Sequence, residues 1–455
     1  MSSNVKKKSI DMTKGPMLGN IIKFVIPLML GNMLQLLYNA ADLIVVGRFA
    51  GSNATAAVGA TGSISTLIVN VCVGLSVGAS VIVSRRIGSK DPEGIHKGVH
   101  TSMGIGMLSG LIGMVLGVLF ARPLLTLFGT PKEVLTGATL YMQIYFIGLP
   151  GSMTYNFGAS IMRAAGDSKR PLYILAASGL VNVVLNLFFI IKLGMDVEGV
   201  AIATAVANYI SAIAVLVYLG ATKENYKLNL KKIRFYKEEV METLRIGVPA
   251  GIQSSTFSIS NSVIQGAINS FGAQAMAGSA AASNIESFVY TAMNAFYHAT
   301  MTCIGQNYGA KNEKRIYKTI WICIASVIVV GLSLGILTVA FAEPLLKIYI
   351  NDSQEAIQFG ITKMWYLGLP YFLCGIMEIM AGTLRGLGHS NIGMVNSILG
   401  ACGLRILWVQ FILPMSHTPE VLFVCWPISW VAVVLAHTIC FFVVRKHSMH
   451  LMRCQ

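Results

Sequence analysis

The chain has 455 residues, of which 55% are hydrophobic and only 12% charged, and its mean hydropathy is +0.67. A water-soluble globular protein carries roughly a quarter of its residues as charged side chains, so this composition excludes a chain whose main solvent is water. The formal net charge of +15 raises the question of a nucleic-acid partner, which the placement of the basic residues answers.

Nearly uncharged stretches of about twenty residues or more recur from end to end, each long enough to cross a hydrocarbon core of about 30 Å as a helix. Backbone groups in lipid must satisfy one another within their own element, so helices are the expected spanning form. In chain order the predicted spans are 20–46, 55–83, 98–121, 136–162, 171–191, 198–220, 246–271, 279–305, 319–342, 361–384, 392–413 and 420–444. The first is too long for a signal-peptide core and lacks a small-residue cleavage site, so it stays as the first helix. The expected fold class is an all-α membrane protein of twelve transmembrane helices.

The basic residues fall in alternate connections. With the N-terminus inside, the inner segments hold Lys6, Lys7, Lys8 and Lys14; Arg85, Arg86, Lys90 and Lys97; Arg163, Lys169 and Arg170. They continue with a run from Lys223 to Arg245, then Lys311, Lys314, Arg315 and Lys318, then Arg385, then Arg445, Lys446 and Arg453. The outer segments hold only Arg48, Arg122, Lys132, Lys192, Lys347 and Lys363. This positive-inside bias puts both termini in the cytoplasm. Attraction to anionic headgroups accounts for the basic loops, with membrane lipids as the partner and no nucleic acid. The cysteines show no CxxC spacing and read as small buried hydrophobes, so no metal is expected.

Around 221–245 the apolar pattern gives way to ATKENYKLNLKKIRFYKEEVMETLR, which divides the chain into a six-helix lobe (1–222), a cytoplasmic basic linker (223–245) and a second six-helix lobe (246–455). Sliding one lobe over the other by 220 to 222 residues superposes several signatures at once. Pro27 falls on Pro249, RRIGSK (85–90) on QNYGAK (306–311), and ARPLLTLF (121–128) on AEPLLKIY (342–349). GLP (148–150) falls on GLP (368–370), and MRAAGDS (162–168) on LRGLGHS (384–390). Six spans per half is an even number, so the halves are parallel repeats forming two pseudo-symmetric six-helix bundles. In transporters of that design the pathway lies between halves that rock.

With those motifs in place, the chain resembles the MATE multidrug and toxin extruders, in particular the bacterial branch with MepA-like and DinF-like members. The matching stretches run in order over essentially the whole chain: PLMLGNMLQLLYNAADLIVVGRFAG (27–51), RRIGSKD (85–91), IMRAAGDSKRPL (161–172), the Asn182 region, EGVAIATAVAN (198–208), IGQNYGAKNEKR (304–315) and LRGLGHS (384–390). The resemblance implies a monomeric secondary transporter of the bacterial inner membrane, not an enzyme. It would export small cationic, amphipathic drugs in exchange for protons or sodium ions and need no cofactor beyond the coupling ion.

Ionisable groups inside spans are costly unless paired, hydrated or protonated, so each is a functional candidate. Asp42 lies about 9 Å below the outer surface on the first helix. Asn186 and, one turn deeper, Asn182 lie on the fifth, and Thr204 lies at similar depth on the sixth. One carboxylate with three neutral oxygen-bearing side chains suits a proton or small cation, and the resemblance implies that Asp42, Asn182 and Thr204 form the family's amino-terminal ion site. Asn186 departs from the family's Asp in its Asn-x-x-x-Asp pattern. A single carboxylate offsets desolvation of a sodium ion less well than two, which favours proton coupling, with helix bending near Pro27. The competing role for Asp42 is a structural hydrogen-bond partner.

In the second half Glu286 and Arg405 lie at similar depth, about 12–14 Å in, and are expected to face each other or a shared wet cavity, as a structural salt bridge or as substrate contacts. Glu378, cytoplasmic of the midplane, suits attraction of a cation from inside or, protonated, an interhelical hydrogen bond. His298 and His437 read as packed or hydrogen-bonded side chains. GSAAAS (278–283) reads as a site of close helix approach.

The nearest rival is a lipid-linked oligosaccharide flippase of the same superfamily. Its anionic cargo calls for several basic side chains in the cavity, whereas Arg405 is the only deep positive charge expected. An intramembrane enzyme would need a His-Glu-x-x-His, an Asp-rich magnesium motif or a Ser-His dyad, and none is present.

Overall fold

The computed structural model describes residues 9–350 and 353–454. Lys6, Lys7 and Lys8, assigned above to the inner face, lie outside them. Every predicted span is helical. The helices are α1 (Met17–Val45), α2 (Gly51–Ser89), α3 (Pro92–Leu127), α4 (Lys132–Ile147 then Leu149–Ala164), α5 (Lys169–Leu187), α6 (Val197–Ala221) and α7 (Lys237–Asn269). They continue as α8 (Ala273–Gly309), α9 (Glu313–Ala340), α10 (Gln354–Gly368 then Tyr371–Gly386), α11 (Ser390–Met415) and α12 (Pro419–His450).

Eight of these helices are by themselves long and apolar enough to cross a membrane, and the two pieces of α10, bent by 45°, make a ninth. The other three, α4, α7 and α8, carry more polar and small residues and complete the twelve-helix fold.

The repeat signatures adopt the same local structure twice. GLP breaks α4 after Ile147 and α10 after Gly368, because proline lacks an N–H and its ring clashes with the preceding turn. Among the described residues, Lys90 (φ 57) and Lys311 (φ 55) are the positive-φ non-glycine residues, and each precedes a capping side chain. Asp91 accepts from the Glu93 N–H and Asn312 from the Arg315 N–H, starting α3 and α9 by satisfying orphan donors of the first turn. Gly166 (φ 83) and Gly388 (φ 89) close the paired AAGDS and GLGHS turns. At Gly166 a side chain would also strike the carbonyl of Ile10, whose N–H donates to Gly166 at 3.2 Å.

By contacts the chain divides into two compact units: residues up to Gly15 with Ile26–Ser255, and Pro16–Val25 with Thr256 onward. The basic stretch 223–245 belongs to the first and is fastened to it. The Asn229 N–H donates to His100 Nε2 (3.0 Å) and the Thr101 hydroxyl to the Arg234 carbonyl (3.1 Å). Ion pairs join Arg85 to Glu242 and Arg86 to Glu239, each at 2.7 Å. Above them the backbones of α2 and α7 touch at Gly74 and Gly78 against Gly247 and Gly251, where any Cβ would meet the opposite main chain.

The outer surface differs from that of a water-soluble protein. Large apolar side chains such as Leu119, Val329, Ile336, Ile439 and Val443 point outward, as a lipid-facing surface requires. Polar side chains such as Ser80, Ser84, Asn186, Ser260, Thr300 and Asn307 are buried inside, and glycines line several helix contacts. In α3, Gly106, Gly110, Gly113 and Gly117 line the contact with Phe157, Met153, Leu149 and Phe146 of α4. In the second unit, Gly278 of the predicted GSAAAS contact abuts the backbone at Ala356 and Gly360 of α10.

Replacing Gly78 with valine is expected to lower the unfolding temperature in detergent, because overpacking such a contact costs roughly 1–3 kcal/mol. Thermal unfolding of the purified variant beside Gly59→Val, whose Cβ position is open, measures the difference.

Candidate functional site

The first unit brings all four predicted ion-site residues together. The Asn186 amide donates to Asp42 Oδ1 and, at 3.3 Å, to Asn182 Oδ1, and the Asn182 amide donates to Thr204 Oγ1 at 3.3 Å. The result is a single chain of hydrogen bonds from α1 through α5 to α6. Asn182 and Asn186 are buried, and Asp42 is half-buried. Asn186 Oδ1 is buried without a hydrogen-bond partner, so the site has an unused acceptor beside its one carboxylate. Apolar residues Val45, Ile190, Val197 and Val200 pack together around this level with Tyr141 and Tyr145, which raises the cost of leaving any polar atom unpaired.

Two residues that place Asp42 are not apparent from charge or polarity. Tyr38, one turn before Asp42 on α1, lays its ring on Gly179 of α5 and donates from its hydroxyl to the Ala176 carbonyl at 3.0 Å. A Cβ at Gly179 would run into that ring. Gly179, Asn182 and Asn186 are spaced to share one face of α5, so the contact that holds α1 also presents the asparagines to it. A glycine three residues before a buried asparagine is the only trace of this in the sequence.

Pro27 lies inside α1, which continues as a helix to Val45 before a wider turn, Val46–Ala50.

The second unit departs from expectation. Glu286 and Arg405 do not pair. Glu286 on α8 faces Lys363 of α10, 3.4 Å from its ammonium, while the Arg405 guanidinium donates to the Ser429 hydroxyl at 2.9 Å and lies over the Trp426 ring. Equal depth did not fix the rotational position of either helix face, and a closer basic side chain was available. Lys363, placed above in an outer segment, is 4% exposed and also donates to the carbonyl (3.2 Å) and hydroxyl (3.3 Å) of Ser279 and to the Ser283 hydroxyl.

Arg385, assigned to an inner connection, is likewise buried and donates to the Tyr297 hydroxyl. Arg405 is therefore not the only deep positive charge. Glu378 is buried on the second piece of α10. His437 is buried with Nε2 3.3 Å from the Gly393 carbonyl, and the His298 ring packs edge-on against Tyr297.

One family model, MatE, matches the chain twice, over residues 27–188 and again over 249–409, a displacement equal to that of the internal repeat. The chain is 28% identical to "Probable multidrug resistance protein YpnP" of Bacillus subtilis, over 84% of this chain and 85% of that protein. It is 24% identical to the "FAD transporter" of Shewanella oneidensis, over 85% of each. A crystal structure described as MATE in the bent conformation superposes with a TM-score of 0.88 at 21% identity, covering 98% of both chains. Matched by that model in both halves, and built of membrane-spanning helices, the chain belongs to the MatE family and is a multi-pass membrane transporter rather than an enzyme.

Proposed function

We propose that this transporter exports cationic amphipathic compounds from the cytoplasm across a bacterial inner membrane in exchange for protons, acting as a monomer with both termini inside and Asp42 as the coupling carboxylate. The observation that carries this reading is the hydrogen-bond chain from Asp42 through Asn186 and Asn182 to Thr204. Ionised, Asp42 can only accept, and it does so from the Asn186 amide. Protonated, it becomes a donor and needs an acceptor. The unused Asn186 Oδ1 supplies one after a rotation of the amide, so the pair can hold either protonation state without separating α1 from α5.

Sodium is less well served. The oxygens of Asn182 and Thr204 already accept amide hydrogens, and a hard cation prefers a shell of several free oxygens. Loss of the Asp42 charge removes the electrostatic reason for its place in a wetter pathway, and Pro27, which lacks the N–H for the preceding turn, is where α1 bends most readily. Glu378 offers a carboxylate to a cationic substrate and Arg405 contributes to the polar lining, whereas Glu286 is neutralised by Lys363.

Three buried basic side chains in the second unit, Lys363, Arg385 and Arg405, favour a second reading, in which the cargo is anionic or zwitterionic, as for a flippase of lipid-linked sugars. Against it, Lys363 is paired with Glu286 and Arg385 is held by Tyr297. An export assay comparing a fluorescent cation with a fluorescent anion separates the two.

In vesicles with an imposed proton gradient, Asp42→Asn is expected to lower export of a fluorescent cation roughly tenfold or more, equivalent to about 1.4 kcal/mol in the coupled step. A sodium gradient of equal size should drive little export by the wild type. Export by Asp42→Asn at the wild-type rate removes Asp42 from the coupling role. Gly179→Val removes no polar atom, yet it should also slow gradient-driven export by displacing Tyr38, while Tyr38→Phe, which loses only one hydrogen bond of about 1 kcal/mol, should have the smaller effect.

A further inference from the structure

In the second unit, four oxygens converge on one buried point. The Ser279 carbonyl, the Ser279 hydroxyl, the Ser283 hydroxyl and Glu286 Oε2 all lie within ion-pair or hydrogen-bond distance of the Lys363 ammonium. They come from one face of α8, since residues 279, 283 and 286 follow the four- and three-residue steps of a helix. Close approach of α10 at Gly278 and Gly360 brings Lys363 down among them.

An ammonium has three hydrogens, so it cannot satisfy four oxygens together, and Glu286 Oε1 is a fifth, buried and without a hydrogen-bond partner. The cradle thus has more acceptor capacity than its occupant can use. Anionic charge, two hydroxyls and a main-chain carbonyl are the donor set that a hard, oxygen-seeking monovalent cation takes.

We infer that Ser279, Ser283 and Glu286 form an alkali-cation site of the second unit whose ion is replaced by the chain's own Lys363 ammonium. The lysine is tethered beside the cradle by α10, so it competes at an effective concentration far above that of its free counterpart and keeps exchangeable sodium out. Lys363 is accordingly a specificity-determining residue: with the second unit already filled by a fixed charge, ion exchange is left to the Asp42 site. That last clause rests on the proton-coupled reading of Asp42, but occupancy of the cradle does not.

The test is made in the Asp42→Asn background, so that cation binding at the first unit does not contribute. The full-length protein is melted in detergent in sodium chloride and in choline chloride at equal ionic strength. Asp42→Asn alone should melt at the same temperature in both salts. Adding Lys363→Met should raise the melting temperature in sodium above that in choline by about 1–3 °C, the shift expected for a chain of this length when sodium is well above the dissociation constant of the freed site. Adding Glu286→Gln as well should abolish the difference.

Lys363→Gln, which keeps a donor for the serine hydroxyls, provides the same comparison if the methionine variant does not fold. Equal melting of the lysine variants in the two salts overturns the inference, as does a sodium effect that survives Glu286→Gln. A failure here leaves the gradient-driven export assay of Asp42 untouched, and the reverse also holds.

Discussion

Hydrocarbon offers no hydrogen-bond partner, and every part of this structure answers to that constraint. It forces the backbone into helices, lets large apolar side chains face outward as well as inward, and sets glycines where helices approach closely. Because lipid does not push helices together as water pushes apolar groups, close packing and polar contacts must do it. The glycine pairs between α2 and α7, the glycine row of α3 and the Gly278–Gly360 contact are therefore the joints of the molecule.

The same constraint makes each buried polar side chain consequential. In the first unit a lone carboxylate is tied by two asparagines and a threonine into one chain of hydrogen bonds spanning three helices. Substitution of the expected second carboxylate by Asn186 changes the chemistry of that chain. An amide offers both a donor and an acceptor, so it can serve Asp42 charged or neutral, whereas a second carboxylate would repel it when both are ionised. In the second unit charge is handled by internal pairing: Lys363 with Glu286, Arg385 with Tyr297, Arg405 with Ser429 and the face of Trp426.

Duplication explains why the two units share turns, caps and broken helices while differing in their polar interiors. The conserved geometry resides in residues that set the backbone: Lys90 and Lys311, Gly166 and Gly388, and the prolines of the paired GLP motifs. Side chains projecting inward are not bound by that requirement and have diverged. Within the spans, Asp42 of the first unit is on α1, whereas Glu286 and Glu378 of the second are on α8 and α10.

The helical membrane fold, the repeat and the four residues that form the first unit's hydrogen-bond chain were legible in the sequence. Hydropathy over a span, proline and glycine punctuation and helical depth are all one-dimensional quantities, and Asp42, Asn182, Asn186 and Thr204 differ from their surroundings by residue type and depth alone. Which face each helix presents to its neighbours emerged from the packing of the helices against one another. Depth put Glu286 opposite Arg405, but the Gly278–Gly360 contact carried Lys363 to Glu286 first. Tyr38 and Gly179 carry no charge and no motif, and their role exists only as a ring lying on a missing side chain. Rotation about a helix axis is set by packing volume against other helices, and a linear pattern of polarity does not encode it.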